Sequence, residues 1–486
     1  MPLRPDAGAA DPSCWPPRRA AEHALRQVER ELVRRPGDVA ISFNRACLLD
    51  RLGRTDAARQ AYLGVLAREL SHAGALANLG TLLAATGYTA AARTVFAQAI
   101  AAHPGDPAAH VNLGNLLRRS DRPDQAAPHY EAALRLDPAH PEAHQGLSYL
   151  LDGVDESTAA HHRALGFATR WLSTAPYRGE ERPVAVLQIV SARGGNMPTR
   201  RVLSDRIFLT HTLVAEHADP ATPLPAHDVV LNAIGDADRC MDALAAAARL
   251  LATTQAVVLN PPDRIVRTAR AENARRLGAL PGVAVPRMAL LPRAAFADGP
   301  PAGFLPPFLL RSPGFHNGQQ FCRVDDAAEL AGVVARLPGE RLLALDYLDA
   351  TGADGAARKY RVMVIGGEIL PLHLAISADW KVHYFTAGMT DPAHRAEEAR
   401  FLADMAGVLG PVAMAALAAI AAELGLDYVG IDFALAPDGR LLLFEANATM
   451  IIMPPPPDPV WDYRRPAIDK ALAAAQALVR ERATGR

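Results

Sequence analysis

Asp432, Glu445 and Asn447 are the residues whose types and spacing point most directly to chemistry in this 486-residue chain. They stand in two apolar runs, 430–435 and 440–447, joined by the turn Ala436-Pro437-Asp438-Gly439. Pro presets φ and Gly accepts a positive φ, so this turn predicts an antiparallel hairpin. Pairing Leu435 with Arg440 predicts that Asp432 lies opposite Leu443. Side chains alternate along a strand, which puts Asp432, Glu445 and Asn447 on one face together with Leu441 and Leu443. Diagonal cross-strand neighbours lie about 7–8 Å apart, close enough for three side chains to converge on one cation. Two carboxylates and an amide oxygen are hard donors that suit magnesium held with phosphates.

The elements that would surround such a site are legible upstream. The strand Phe308-Leu309-Leu310-Arg311 runs into a loop with Gly314 and Gly318, then into Phe321-Cys322-Arg323-Val324. A cation at a strand end followed by a glycine-bearing loop can cover a polyphosphate. "LLALDYLDA" reads as a strand leaving Asp346, Tyr347, Leu348 and Asp349 at its exit. "KYRVMVIGGEILP" places Arg361 on a strand, and "HLAISADWKVHYFTAGM" follows with His373, Lys381, His383 and Tyr384. Lysine occurs only at Lys359, Lys381 and Lys470, every other basic residue among 51 being arginine. Two of these three lysines fall in one window beside the expected site. Further upstream, Val184–Val190 reads as a buried strand before the loop Ser191-Ala192-Arg193-Gly194-Gly195-Asn196. "HDVVLNAIGD" and "AVVLNPP" follow as short strands leading into helices, the pattern of a small α/β domain.

The order of these pieces resembles the ATP-grasp superfamily, and Asp432, Glu445 and Asn447 match its magnesium triad in type, order and spacing. The resemblance implies two α+β subdomains gripping ATP and a carboxylate activated as an acylphosphate for attack by an amine. By that similarity Arg311 stands where many members have a phosphate-binding lysine, and the Gly314–Gly318 loop is the mobile phosphate loop. Asp346, Tyr347, Leu348 and Asp349 would face the nucleoside. By the same similarity Arg361 would serve catalysis at the reacting phosphate. The segment with Lys381 and His383 departs from the family and is expected from its own residues to line the acyl-acceptor or carboxylate pocket, with Lys381 as a phosphate or carboxylate contact. The implied function is an ATP- and magnesium-dependent ligase forming a C–N bond. The alternatives are a kinase on the same fold or a catalytically silent, nucleotide-binding repeat scaffold.

The N-terminal third has a different logic. Asn44, Asn78 and Asn112 are spaced at 34 residues, as are Ala58, Ala92 and Ala126. Tyr62, Phe96 and Tyr130 keep the same interval, and Pro104 and Pro138 close two units. A fixed period of this length reads as stacked helix pairs, with small residues allowing close approach and aromatics filling the gaps. The segment resembles the tetratricopeptide repeat. That likeness implies a groove for a peptide or protein partner. A covering helix is expected at 17–35, and a capping helix holding Trp171 at the other end.

The expected architecture is therefore multidomain. A disordered tail (1–16) precedes an all-α tetratricopeptide solenoid (17–177), an α/β pre-ATP-grasp domain (183–265) and an α+β ATP-grasp domain (266–486). A net charge of −1 argues against nucleic acid and anionic membranes as partners. Four scattered cysteines and an N-terminus without an apolar core fit a cytoplasmic protein. The uncharged run Met405–Ala422, broken by Gly410 and Pro411, reads as a buried helix. Carboxylate and amine substrates and a homodimer complete the expectations.

Overall fold

The computed structural model describes residues 18–120, 122–313, 320–383, 387–455 and 458–485. The chain divides into two compact units. One comprises residues up to Gln188 together with Leu203–His227, and the other Ile189–Val202 with Asp228 onward.

The first unit is an all-α solenoid. Its helices are α1 (Arg18–Arg34), α2 (Val39–Arg51), α3 (Thr55–Leu66), α4 (Ala73–Ala85), α5 (Thr89–Ala102), α6 (Pro107–Arg119), α7 (Pro123–Leu136), α8 (Pro141–Leu151) and α9 (Glu156–Phe167). Each packs on the next, most extensively within the hairpins α2–α3, α4–α5, α6–α7 and α8–α9. Asp38, His72 and Asp106 cap α2, α4 and α6 by accepting from backbone N–H groups of the first turn. The 34-residue period has a steric cause. A Cβ on Gly80 would lie 2.4 Å from the Phe96 ring, and one on Gly114, one period later, would lie 2.9 Å from the Tyr130 ring. Tyr62, Phe96 and Tyr130 are all buried, as are Ala58, Ala92 and Ala126. Glycine on one helix thus receives the aromatic of its neighbour. The expected capping helix at Trp171 is corrected: β1 (Leu172–Thr174) follows α9 and pairs antiparallel with β3 (Phe208–Val214). Between them β2 (Val184–Val190) leads out of the unit.

The second unit opens with a parallel pair, β4 (Val229–Asn232) and β5 (Val257–Leu259), separated by α10 (Met241–Leu251). Next come α11 (Pro262–Val266), α12 (Arg270–Leu277), β6 (Val283–Ala284), β7 (Met288–Pro292), β8 (Phe308–Arg311), β9 (Phe321–Val324), α13 (Leu330–Arg336) and β10 (Arg341–Asp346). The chain continues through β11 (Ala357–Ile365), β12 (Glu368–Ser377), α14 (Pro392–Ala403), α15 (Met405–Leu424), β13 (Tyr428–Leu435), β14 (Leu441–Asn447) and α16 (Arg465–Ala483). Two sheets result, one ordered β7-β10-β8-β9 and the other β12-β11-β13-β14-β6. The terminal helix α16 buries Ile468, Ala471, Ala475 and Leu478 and packs on β11 and β12. Among the described residues α15 alone is long and apolar enough to cross a membrane, and 28% of its most apolar window is buried. It is two helical pieces meeting at Gly410 (φ 75°, ψ 171°) before Pro411.

The hairpin β13–β14 forms where the Pro-Asp-Gly turn predicts it, with Gly439 at φ 81°. Its register differs from the expected one. Leu435 pairs with Leu441, Phe433 with Leu443, and Asp432 with Glu445. Phe444 is the extra residue of a bulge, so Asp432 faces Glu445 directly instead of Leu443.

Candidate functional site

Sheet register builds the core of the site. Reading across the second sheet, His373 on β12 lies opposite Arg361 on β11, Arg361 opposite Asp432 on β13, and Asp432 opposite Glu445 on β14. Directly opposed residues project from the same face, so four strands contribute one transverse polar row. Lys359, two residues before Arg361, joins the same face.

The row is internally paired. Arg361 donates from Nε and Nη2 to the two Asp432 oxygens at 2.6 and 2.8 Å, a bidentate fork. The Lys359 ammonium lies 3.0 Å from Asp432 Oδ2. Burial alone would raise the Asp432 carboxyl, but Arg361 and Lys359 reverse that and hold it far below the usual carboxylate range. Burial opposes the Arg361 charge and Asp432 outweighs it, so the guanidinium is held protonated. His373 is buried beside Arg361, and burial followed by that positive charge pushes it well below an ordinary histidine.

A cavity of about 300 Å³ opens beside this row, lined by both sheets and by α12. One part is apolar, with Leu277, Val285, Met288, Leu309, Leu343 and Leu345 on its wall. The other carries Arg270, Arg311, Lys359, Lys381, His383, Asp432, Glu445 and Asn447. Arg311 is half-buried at the end of β8. Burial first, and then the neighbouring Arg270 charge, lower its proton affinity. A guanidinium disfavoured by burial and by a neighbouring cation, beside an apolar slot, marks a place where an anion is favourable. Glu445 offsets them partly, 3.9 Å from Arg270. Lys381 donates to the Phe321 carbonyl at 3.4 Å and lies 6.0 Å from the Phe321 ring. Burial and then the charges of Lys359 and Arg361 keep His383 neutral.

Other anticipated residues are occupied locally. Asp346 accepts from the Arg287 backbone N–H at 3.1 Å and its guanidinium at 3.0 Å, tying the exit of β10 to the segment before β7. Tyr347 donates to Asp349 at 3.3 Å, and Asp349 also accepts from the Thr351 backbone at 3.0 Å. Tyr347 and Leu348 line the cavity. Gly314, Gly318 and Tyr384 lie outside the described residues. Arg270, Lys359 and Trp380 line the cavity without having been anticipated as site residues. The scarcity of lysine was a signal for Lys359.

Family models match the first unit. They describe tetratricopeptide repeats at residues 43–107 and 107–140. Residues 43–140 are a tetratricopeptide-repeat region. No curated protein matches the chain. Among solved structures, MamA (residue 41 to the end) from Desulfovibrio magneticus RS-1 is similar at 25% identity, covering 29% of this chain and 81% of its own, with a TM-score of 0.27. TTC0263, a TPR protein of Thermus thermophilus, is 22% identical over 31% of this chain and 83% of its own, with a TM-score of 0.27. Pseudomonas aeruginosa pilF is 22% identical over 31% of this chain and 68% of its own, with a TM-score of 0.29.

The expectation of an ATP-grasp ligase that uses ATP and magnesium is corrected by these findings. The matching family models describe repeats, and among the described residues no group of three or more His, Cys, Asp or Glu side chains could hold a metal ion. The physical reason lies in the three residues themselves. Asp432 is committed to Arg361 and Lys359, and Asn447 Oδ1 accepts from the Thr449 backbone and hydroxyl at 2.9 and 2.8 Å. That leaves Glu445 beside Arg270, which is a charge pair and not a magnesium cage.

Proposed function

We propose that the chain is a repeat scaffold with two binding surfaces. The repeats dock an extended peptide or a protein, and the second unit holds a small amphiphilic anion of the nucleotide class. The observation that carries this reading is the cavity with Arg270, Arg311 and Lys381 at its charged part and leucines along its wall. Its volume of about 300 Å³ sits at the small end of ordinary ligand pockets. The carboxylates nearby offset the cations only in part: Glu445 and Asp238 lie 3.9 and 4.0 Å from Arg270, while Asp346 is spent on Arg287 and Asp432 on Arg361. An apolar group in the slot and a phosphate between Arg270 and Arg311 would satisfy both parts at once. No reaction is assigned to the site.

On the repeats, the three equivalent asparagines differ. Asn78 is half-buried and donates to the Tyr62 hydroxyl at 3.2 Å, so it serves packing. Asn44 is exposed and Asn112 partly so, which leaves their amides for a partner backbone. Calorimetric titration of the full chain with a nucleoside diphosphate, the bare nucleoside and inorganic phosphate tests the cavity. The reading predicts the diphosphate to bind more tightly than either fragment, and Arg311→Ala to weaken it about tenfold or more. Equal affinity of wild type and variant, or no binding by a folded wild type, would contradict it.

A further inference from the structure

We propose that the last two helical hairpins of the first unit carry a proton-operated clasp. Two histidine pairs join α6 to α7 and α8 to α9 when neutral, and part when both rings of a pair are protonated. The pairs are related by the repeat: His110 and His144 are 34 residues apart and occupy equivalent positions on α6 and α8. Their partners, His129 on α7 and His162 on α9, are 33 apart. No such pair joins α4 to α5 among the described residues, so the device belongs to one half of the array.

The hydrogen-bond geometry dictates the protonation logic. His144 is buried, and its Nε2 lies 2.9 Å from the Pro138 carbonyl oxygen. A carbonyl only accepts, so that nitrogen carries hydrogen. A neutral imidazole has one N–H, which leaves His144 Nδ1 as an acceptor. His162 Nδ1, 2.7 Å away, must then be the donor. One hydrogen between two ring nitrogens satisfies both. A single added proton can be taken up on His162 Nε2, which leaves its Nδ1–H donated to His144 Nδ1. A second leaves two N–H groups and two positive charges facing each other, and the contact fails. His110 Nδ1 and His129 Nδ1, 3.3 Å apart, repeat the arrangement one unit earlier.

The surroundings do little to offset that repulsion. Burial is the main influence lowering the proton affinity of His110, His129 and His162. On His110 the Arg135 charge from α7 acts in the same direction, and Asp106 at the start of α6 opposes it. On His129 the facing charge is His110. On His162 the facing charges are His144 from α8 and its neighbour His161. Arg163 is neutralised by Asp152 and Glu156. The sign follows directly. An unfolded histidine takes its proton near pH 6.5, while His110, His129 and His162 resist it in the fold. The clasp therefore contributes stability above about pH 6.5 and loses it as pH falls below that value.

Hydrogen exchange of the full chain, read by mass spectrometry at pH 7.5 and 5.5 and corrected for intrinsic rates, tests the proposal. Protection of α6–α9 should fall about tenfold or more relative to α4–α5 on acidification, a loss of about 1.4 kcal/mol. In His162→Gln, which keeps a hydrogen-bonding side chain but does not titrate, the fall at α8–α9 should vanish while that at α6–α7 persists. His129→Gln should give the mirror result. An equal response in α4–α5 and α8–α9 would overturn the proposal from the wild type alone. Persistence of the fall at the substituted hairpin would do so from the variants.

Discussion

The repeat array and the second sheet use buried polar groups in opposite ways. In the array, stability comes from a motif stamped at a fixed interval: glycine on one helix, an aromatic ring on its neighbour, and a capping side chain at intervals. Its polar contacts are local, whether neutral, as Tyr130 donating to Asn115 at 2.9 Å, or charged, as Arg163 with Asp152 at 3.1 Å. In the second sheet one transverse row, His373–Arg361–Asp432–Glu445, concentrates charge in a place reached by no repetition. A periodic packing rule tolerates the loss of one copy. A single buried ion pair does not, because removing one partner strands the other in a low-dielectric interior.

The comparison breaks most visibly at Arg361. Arg361→Ala leaves Asp432 buried with only Lys359, and should cost about 3–5 kcal/mol in urea unfolding of the full chain. A loss below about 1 kcal/mol would mean that the row does not hold the sheet. Gly114→Ala tests the array by overfilling the space held by Tyr130, with an expected cost of about 1–3 kcal/mol and a lowered thermal midpoint. An unchanged midpoint would remove the steric reason for the period.

Acid acts on both regions in the same direction, through groups that titrate in different ranges. Asp432 is held ionised in the folded state far below its unfolded value of about 3.9. Its contribution is complete above that value and is lost as pH falls below it. The Asp432 contribution should therefore persist through pH 5.5, where the histidine-clasped helices have already loosened. A loss of exchange protection at β11 and β12 at that pH would report on buried, neutral His373. The smallest structural effect is expected at Lys381, whose ammonium meets a carbonyl and a ring. Lys381→Ala should change stability by less than about 0.5 kcal/mol, as for surface changes. It should nonetheless weaken anion binding severalfold by calorimetry.

The same contrast explains what the sequence made legible. The 34-residue interval located the solenoid because each contact is made between neighbours in sequence, and α1 falls within the segment expected for a covering helix. The β13–β14 hairpin was readable from its turn. Its register was not, because the Phe444 bulge depends on packing and not on the turn residues. The roles of Asp432 and Asn447 were misjudged for a related reason. Asp432 finds its partners on β11, some 70 positions earlier, and nothing in the local pattern of oxygen donors reveals that two cations already occupy it. Arg270 stands at the start of a short, strongly charged helix that looks like an ordinary solvated element in one dimension. Trp171 follows the repeats closely enough to look like part of a cap, yet the chain there turns to strand.

The most direct test of the division of labour is hydrogen exchange of the full chain with and without a nucleoside diphosphate. The account predicts added protection at α12, β8 and β14, whose residues line the cavity, and none at α4–α7. Protection appearing in the helices of the array, or nowhere in the chain at saturating ligand, would contradict it.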